Sequence, residues 1–193
     1  HRKQWEFCYI LQVLDACGVM QGGARGLGFG VGDEPLTSVL AARGIHIMAT
    51  DLDVEVAARQ GWVETDQHAR NKEMLNSRGL CAQDQFDSLV DFRVMDMNSI
   101  DEDMRGFDFC WSACALEHLG SIEQRLQFIE KSIDCLSPGG VAVHTTEFNC
   151  LSNHATLDNA STVLFRQRDF IALAKRLRRR GHDLGCEDLR YSF

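Results

Sequence analysis

At 193 residues, with 45% apolar and 25% charged residues, the chain is long enough to bury a sizeable core as one globular domain. No run approaches the roughly eighteen apolar residues of a membrane span, and no basic segment followed by an apolar one marks a secretory signal. The net charge of −8 disfavours a general nucleic-acid surface, because phosphate binding rests on Lys and Arg.

The eight cysteines (Cys8, Cys17, Cys81, Cys110, Cys114, Cys135, Cys150 and Cys186) form no C-x-x-C pair, and several sit within apolar runs. There a thiol behaves as a small hydrophobe, so neither a disulfide framework nor a zinc site is expected. This usage points to a reducing, cytoplasmic compartment. The chain opens on His1 rather than Met, which implies a preceding piece.

In chain order, Lys3–Cys17 is helix-compatible, and its apolar residues, Trp5 among them, suggest a helix covering a sheet (residues 1–21) ahead of a core over 22–193. Gly22 and Gly23 precede a first strand near Ala24–Leu27. Next comes Gly26-Leu27-Gly28-Phe29-Gly30-Val31-Gly32-Asp33-Glu34-Pro35, a glycine turn leading to a helix over Pro35–Arg43, with Asp33 or Glu34 as its cap. Gly44 stops that helix, and Ile45–Thr50 reads as a buried parallel strand ending at Asp51. Strand, glycine turn, helix, strand and acid form a βαβ unit suited to an adenosine-type cofactor, with the acid on the ribose hydroxyls.

The glycine spacing bears on which cofactor. No frame gives G-x-G-x-x-G, since the sixth position is Val31 from Gly26 and Asp33 from Gly28. A diphosphate needs an anion site at the helix start, where Asp33 and Glu34 place negative charge instead. That argues against NAD or FAD and favours a cofactor with a cationic end, such as S-adenosylmethionine (SAM). The alternative is a glycine turn that packs helix on strand and holds nothing.

Beyond Asp51, Val54–Arg59 reads as a short helix and His68–Asn76 as another, with loop around it as far as Ser88. Val90–Met95 and Phe107–Ala113 read as strands, and Trp111 as core. Ile122, Leu126, Ile129, Ile133 and Leu136 recur at helical spacing and predict a helix over Ile122–Leu136. Pro138-Gly139-Gly140 reads as a turn and Val141–Thr146 as a strand whose His144 is a satisfied core residue. Phe170, Leu173, Ala174 and Leu177 define a last helix, ending in a solvated basic cluster from Lys175 to Arg180. Leu184–Phe193 starts a further strand. The alternation indicates an α/β, doubly wound, mostly parallel sheet flanked by helices.

Several blocks together resemble the class I, Rossmann-like SAM-dependent methyltransferases over roughly Gly22–His182. They are the turn Gly28–Gly32, Asp51, Asp96-Met97, the "LEH" segment Leu116-Glu117-His118 and the "PGG" turn Pro138–Gly140. The resemblance implies SAM as cofactor, S-adenosylhomocysteine (SAH) as product, and a sheet with two further C-terminal strands, for which this chain ends too early. It places the cofactor against Gly28, Phe29, Gly30, Gly32, Asp51, Leu52, Asp96, Met97, Ala113 and Cys114. In that scheme Asp51 takes the ribose, Asp96 the adenine amino group and the Met97 backbone the ring edge. The family's acid two residues before the first turn glycine, which holds the SAM amino group, is Gly26 here, leaving Asp33 or Glu34 to replace it.

On the acceptor side, His118 is the candidate base, with Glu117 orienting it. Imidazole changes charge near neutral pH, and a hydroxyl acceptor must lose a proton. Other histidines in reach are His144 and His154. The pairing of "LEH" with Glu147-Phe148-Asn149 also resembles metal-dependent 2′-O-methyltransferases of small RNA 3′ ends. Those enzymes carry a carboxylate where this chain has Cys114, a poor partner for Mg²⁺, so no metal is expected. The leading expectation is methyl transfer to a small-molecule or saccharide acceptor at oxygen. The alternatives are an RNA-end enzyme and a methyltransferase-like binding or scaffold domain. The oligomeric state stays open.

Overall fold

Five strands form one sheet in a computed structural model that describes residues 3–59, 68–158 and 162–185. They are β1 (Arg25–Phe29), β2 (His46–Asp51), β3 (Val90–Val94), β4 (Phe107–Ala113) and β5 (Leu136–Thr145). Their order is β3-β2-β1-β4-β5, and every neighbouring pair is parallel. The order reverses between β1 and β4, where a crevice opens at the carboxyl edge of such a sheet.

Helices cover both faces. On one side α1 (Gln4–Ala16) packs over β4 and β5 through Ile10 and Leu14, while α2 (Leu36–Ala41) and α4 (Gln83–Leu89) add Leu36, Leu40 and Phe86. On the other side α5 (Ile122–Ile133) and α6 (Gln167–Arg179) bring Leu126, Phe128, Ile129, Leu173 and Leu177 against Leu27 and Phe29. The α5 start is fixed by a capping box, in which Ser121 and Gln124 satisfy each other's backbone N–H. The short α3 (Val54–Arg59) follows β2.

β1 is unusual for a central strand because Gly26 and Gly28 occupy one whole face of it. The parallel register sets Gly26 beside Phe109 and Gly28 beside Trp111 on β4. A Cβ at Gly26 would lie 2.6 Å from the Phe109 ring, and one at Gly28 would lie 2.6 Å from the Trp111 ring. The glycines therefore make room for two large aromatic side chains, both fully buried.

The structure departs from the sequence reading in several places. The helix expected over His68–Asn76 is a 3₁₀ segment confined to Lys72–Asn76, and α4 occupies a stretch read as loop. α4 buries only Phe86, which leaves too weak a period to detect. The α5 helix ends at Ile133, so Leu136 opens β5 instead of closing the helix. Pro138–Gly140 lies inside β5 as an irregularity, with Phe107 paired to Leu136 and Phe109 to Val141. Neither Asp33 nor Glu34 caps α2, whose cap is Pro35 with no side-chain bond. Trp5 is exposed on α1 and leaves the sheet covering to Ile10 and Leu14. The strand expected over Leu184–Phe193 falls largely outside the described residues, and Leu184 and Gly185 are not strand.

His144 is the satisfied core residue that its apolar strand suggests. Its Nδ1 lies 2.8 Å from Ser112 Oγ and its Nε2 lies 3.0 Å from Ser132 Oγ. Ser132 gives its own proton to the Ile129 carbonyl, so it accepts from His144 Nε2–H and Nδ1 accepts from Ser112. Burial lowers the His144 pKa from 6.5 to about 4. Below pH 6.5 the unfolded chain takes up a proton that the folded one refuses, so stability should fall between pH 6.5 and about 4 by on the order of 2–3 kcal/mol. Urea unfolding across that range, with His144→Gln as the pH-insensitive reference, measures this loss.

Candidate functional site

The carboxyl ends of β1, β2, β3 and β4 open into a cavity of about 410 Å³, within the roughly 300–1,000 Å³ typical of small-molecule sites. Of the cofactor residues expected from sequence, Gly30, Gly32, Asp51, Leu52, Asp96, Met97, Ala113 and Cys114 all line it. His118 lines it as well. Gly28, Phe29 and Glu117 do not. Gly28 serves the packing of Trp111, and Phe29 is a core residue set edge-on to Phe128.

The turn after β1 is built for close approach. Gly30 and Gly32 have φ of 58° and 50°, left-handed values that glycine adopts without cost. A Cβ on Gly30 would also lie 2.9 Å from Ala115 Cβ. Asp51 anchors the turn, its Oδ2 accepting from the N–H of Gly32 at 3.0 Å and of Ala69 at 2.9 Å. Its Oδ1 accepts from the Leu52 N–H at 2.8 Å. Burial raises the Asp51 pKa, and these three N–H bonds with nearby His68 oppose the rise. Asp51 therefore organises three backbone segments, with one acceptor position on Oδ1 left over for a ligand hydroxyl.

Asp96 also lines the cavity, and its Oδ1 accepts from the Asn98 N–H and closes a tight turn. Met97 is buried beside it. Cys114, next after β4, has φ of 47°, uncommon for a residue with a side chain and a form of local strain that collects at functional sites.

Behind Cys114 lies an acidic cluster. One ligand atom each from Cys114, Glu117 and Glu147 falls within 4.8 Å of the others. Glu117 is buried, and its Oε2 accepts from Thr146 Oγ1 at 3.3 Å. Burial raises the pKa of Glu117, and burial together with Glu117 and Glu6 raises that of the Cys114 thiol. The turn that carries Glu117 and His118 is held from below by Arg125, fully buried, whose guanidinium donates to the carbonyls of Leu116 and Glu117.

Sequence reasoning left Glu34 undecided and passed over Lys3 and Phe7, all three of which line the cavity. Glu34 is only 6% exposed, and its Oε1 accepts from Trp111 Nε1 at 2.5 Å. Asp33 is held by Arg78 at 2.8 Å on the surface. A buried acid one residue before Pro35 resembles a helix cap in sequence, and only the position of Trp111 reveals its other use.

A model of the methyltransferase domain family matches residues 27–144, and the chain belongs to this family, the class I SAM-dependent methyltransferases. The cofactor of that class is SAM. Among solved structures, the methyltransferase domain of bacterial CtHen1-CN matches at TM-score 0.60 and 16% identity, over 93% of this chain and 86% of that one. The SAM-bound amino pentose methyltransferase of calicheamicin biosynthesis from Micromonospora echinaspora matches at 0.58 and 15%, over 86% and 80%. A protein described as a sarcosine dimethylglycine methyltransferase, from Galdieria sulphuraria, matches at 0.51 and 21%, over 72% of this chain. The chain spans only 45% of the Galdieria protein. No curated protein sequence matches the chain.

Burial raises the Glu34 pKa from 4.5 to about 8, with the Trp111 bond opposing the rise. Its folded-state pKa is raised, so its contribution to stability is complete below pH 4.5 and is lost as the pH climbs to about 8. Glu34→Gln keeps an oxygen for Trp111 and removes the titration. At pH 7 this variant should be more stable than the parent by on the order of 3 kcal/mol, and the difference should vanish near pH 4. Denaturant midpoints of both proteins at the two pH values check this.

Proposed function

We propose that this domain transfers a methyl group from SAM to a hydroxyl of a small-molecule or saccharide acceptor. The observation that carries the reading is convergence. Eight residues expected at the cofactor, drawn from the ends of four strands, line one cavity at the point where the strand order reverses. Its volume, its left-handed glycines and its buried carboxyl groups suit a ligand with an adenosine body and a cationic end. The amino pentose methyltransferase among the structural neighbours supports an acceptor of sugar type. The seven described cysteines are free thiols, which supports work in a reducing, cytoplasmic setting.

SAM, when bound, supplies a methyl group already activated on a sulfonium, so the protein contributes position, dryness and proton removal. In this reading Asp51 receives the ribose hydroxyls and Asp96 the adenine amino group, with the Met97 backbone at the ring edge. Gly30 and Gly32 let the chain approach the ligand closely. His118, at the cavity wall beside Ala115 and Leu119, takes the acceptor's proton, and Glu117 helps orient it.

A second reading, metal-assisted methylation of an RNA end, has one observation in its favour. Glu147 brings a second carboxylate within 4.8 Å of Glu117. The third donor is the Cys114 thiol, whose raised pKa and soft sulfur do not suit Mg²⁺.

Isothermal titration should show SAH binding, weakened by roughly 10–100-fold in Asp51→Asn with the fold intact by circular dichroism. An unchanged affinity would remove Asp51 from the site. On an acceptor found by screening hydroxylated small molecules and saccharides with radiolabelled SAM, His118→Ala should lower turnover by roughly 10²–10⁴-fold. Its affinity for SAH should stay within about twofold of the parent's, because the base acts on the acceptor. Turnover should also survive EDTA. Loss on chelation, restored by Mg²⁺ or Mn²⁺, would instead favour the RNA-end reading.

A further inference from the structure

The acid that would sit two residues ahead of Gly28 is missing for a steric reason. At Gly26 even a Cβ would lie 2.6 Å from the Phe109 ring and 2.9 Å from Ile47 Cδ1, so no carboxylate fits on this strand. The Trp111 ring closes the next position on the same face, above Gly28, in the same way. The indole that takes this space ends in an N–H, and that N–H is bonded to Glu34.

We propose that the Glu34 carboxylate, held in place by Trp111, receives the ammonium group of the cofactor's amino-acid end. The inference rests on SAM occupying the cavity as described above. Both acids of the turn line the cavity, but Asp33 is half-exposed and is engaged by Arg78, which also lines it, through both its side chain and its carbonyl. Glu34 is buried and lines the cavity, and among the described residues its carboxylate accepts one hydrogen bond, from Trp111, out of the roughly four that a carboxylate can accept.

The surroundings call for a cation. Asp51 from β2 and Glu6 from α1 add negative charge near Glu34, and Lys3, just ahead of α1, opposes them. In the free protein Glu34 keeps its proton at neutral pH. When an ammonium arrives, the charged pair replaces the neutral acid and the Glu34 proton leaves to the buffer. The ammonium keeps all three of its own protons.

The test compares SAH with 5′-methylthioadenosine, which shares the adenosine and thioether but lacks the amino acid. By isothermal titration at pH 7, Glu34→Gln should bind SAH roughly 10–100-fold more weakly than the parent. Its affinity for 5′-methylthioadenosine should stay within about twofold, and Asp33→Asn should change neither ligand beyond about twofold. In the parent, titrations in buffers of different ionisation enthalpy should show close to one proton released with SAH and none with 5′-methylthioadenosine. This last measurement decides the matter if the Gln variant does not fold. Unchanged SAH affinity in Glu34→Gln, equal loss for both ligands, or loss in Asp33→Asn instead would each overturn the assignment while leaving SAM in the cavity. A parent that binds neither ligand would overturn the cofactor reading and this one with it.

Discussion

The packing of Phe109 and Trp111 over the bare face of β1 is the constraint on which the site depends. Parallel register puts both rings opposite glycines, so β1 and β4 approach with aromatic side chains filling the space that β1 leaves empty. This removes any side chain from that face of β1. It also brings an indole N–H, which needs a partner once buried, to the start of the turn. Glu34 is that partner. One packing choice therefore excludes a carboxylate from one position and fixes a carboxylate at another.

The carboxyl edge of the sheet is rich in acids that burial makes reluctant to ionise. Glu34, Asp51 and Glu117 all have raised pKa values, and desolvation is the first cause in each. Each has its own compensation: an indole for Glu34, three backbone N–H groups for Asp51, and the Thr146 hydroxyl for Glu117 with His118 nearby. Compensation by dipoles holds the geometry without cancelling the charge, so the free site favours a cationic ligand. Arg125 shows the opposite arrangement. Its buried guanidinium is lowered to about 10 by burial, and it is used to brace the backbone of the 116–118 turn.

Much of this was legible in the sequence. The five strands and the α2, α3, α5 and α6 helices follow from period and punctuation, and α2, α5 and α6 each bury an apolar stripe. The α4 helix was not legible, because Phe86 alone anchors it. Pro138–Gly140 misled because a Pro-Gly-Gly run serves a strand irregularity as well as a turn. At the site, Asp51, Asp96 and His118 stand at strand ends where position alone suggests a use. Gly28 and Phe29 belong to the same motif yet serve the core, and only distant aromatics explain why: Trp111 on β4 for Gly28 and Phe128 on α5 for Phe29. Glu34 is the mirror case. Its local context reads as a helix start, and its partner Trp111 is 77 residues distant.

The exclusion of a diphosphate cofactor gains a second argument from the backbone. A phosphate-binding turn works by leaving its N–H groups free to point at the anion. Here the protein itself consumes three of them. Val31 N–H donates to the Thr50 carbonyl, Gly32 N–H to Asp51 Oδ2, and Glu34 N–H back to the Val31 carbonyl. The missing sixth-position glycine is thus the visible part of a larger difference. Donors that would face an anion are turned inward to hold Asp51 and β2, and the acids Asp33, Glu34, Asp51 and Asp96 line the cavity. A glycine-rich turn joined to a parallel sheet can serve ligands of either charge. In this chain the hydrogen bonds of Gly32 and Glu34 set the choice toward a cation.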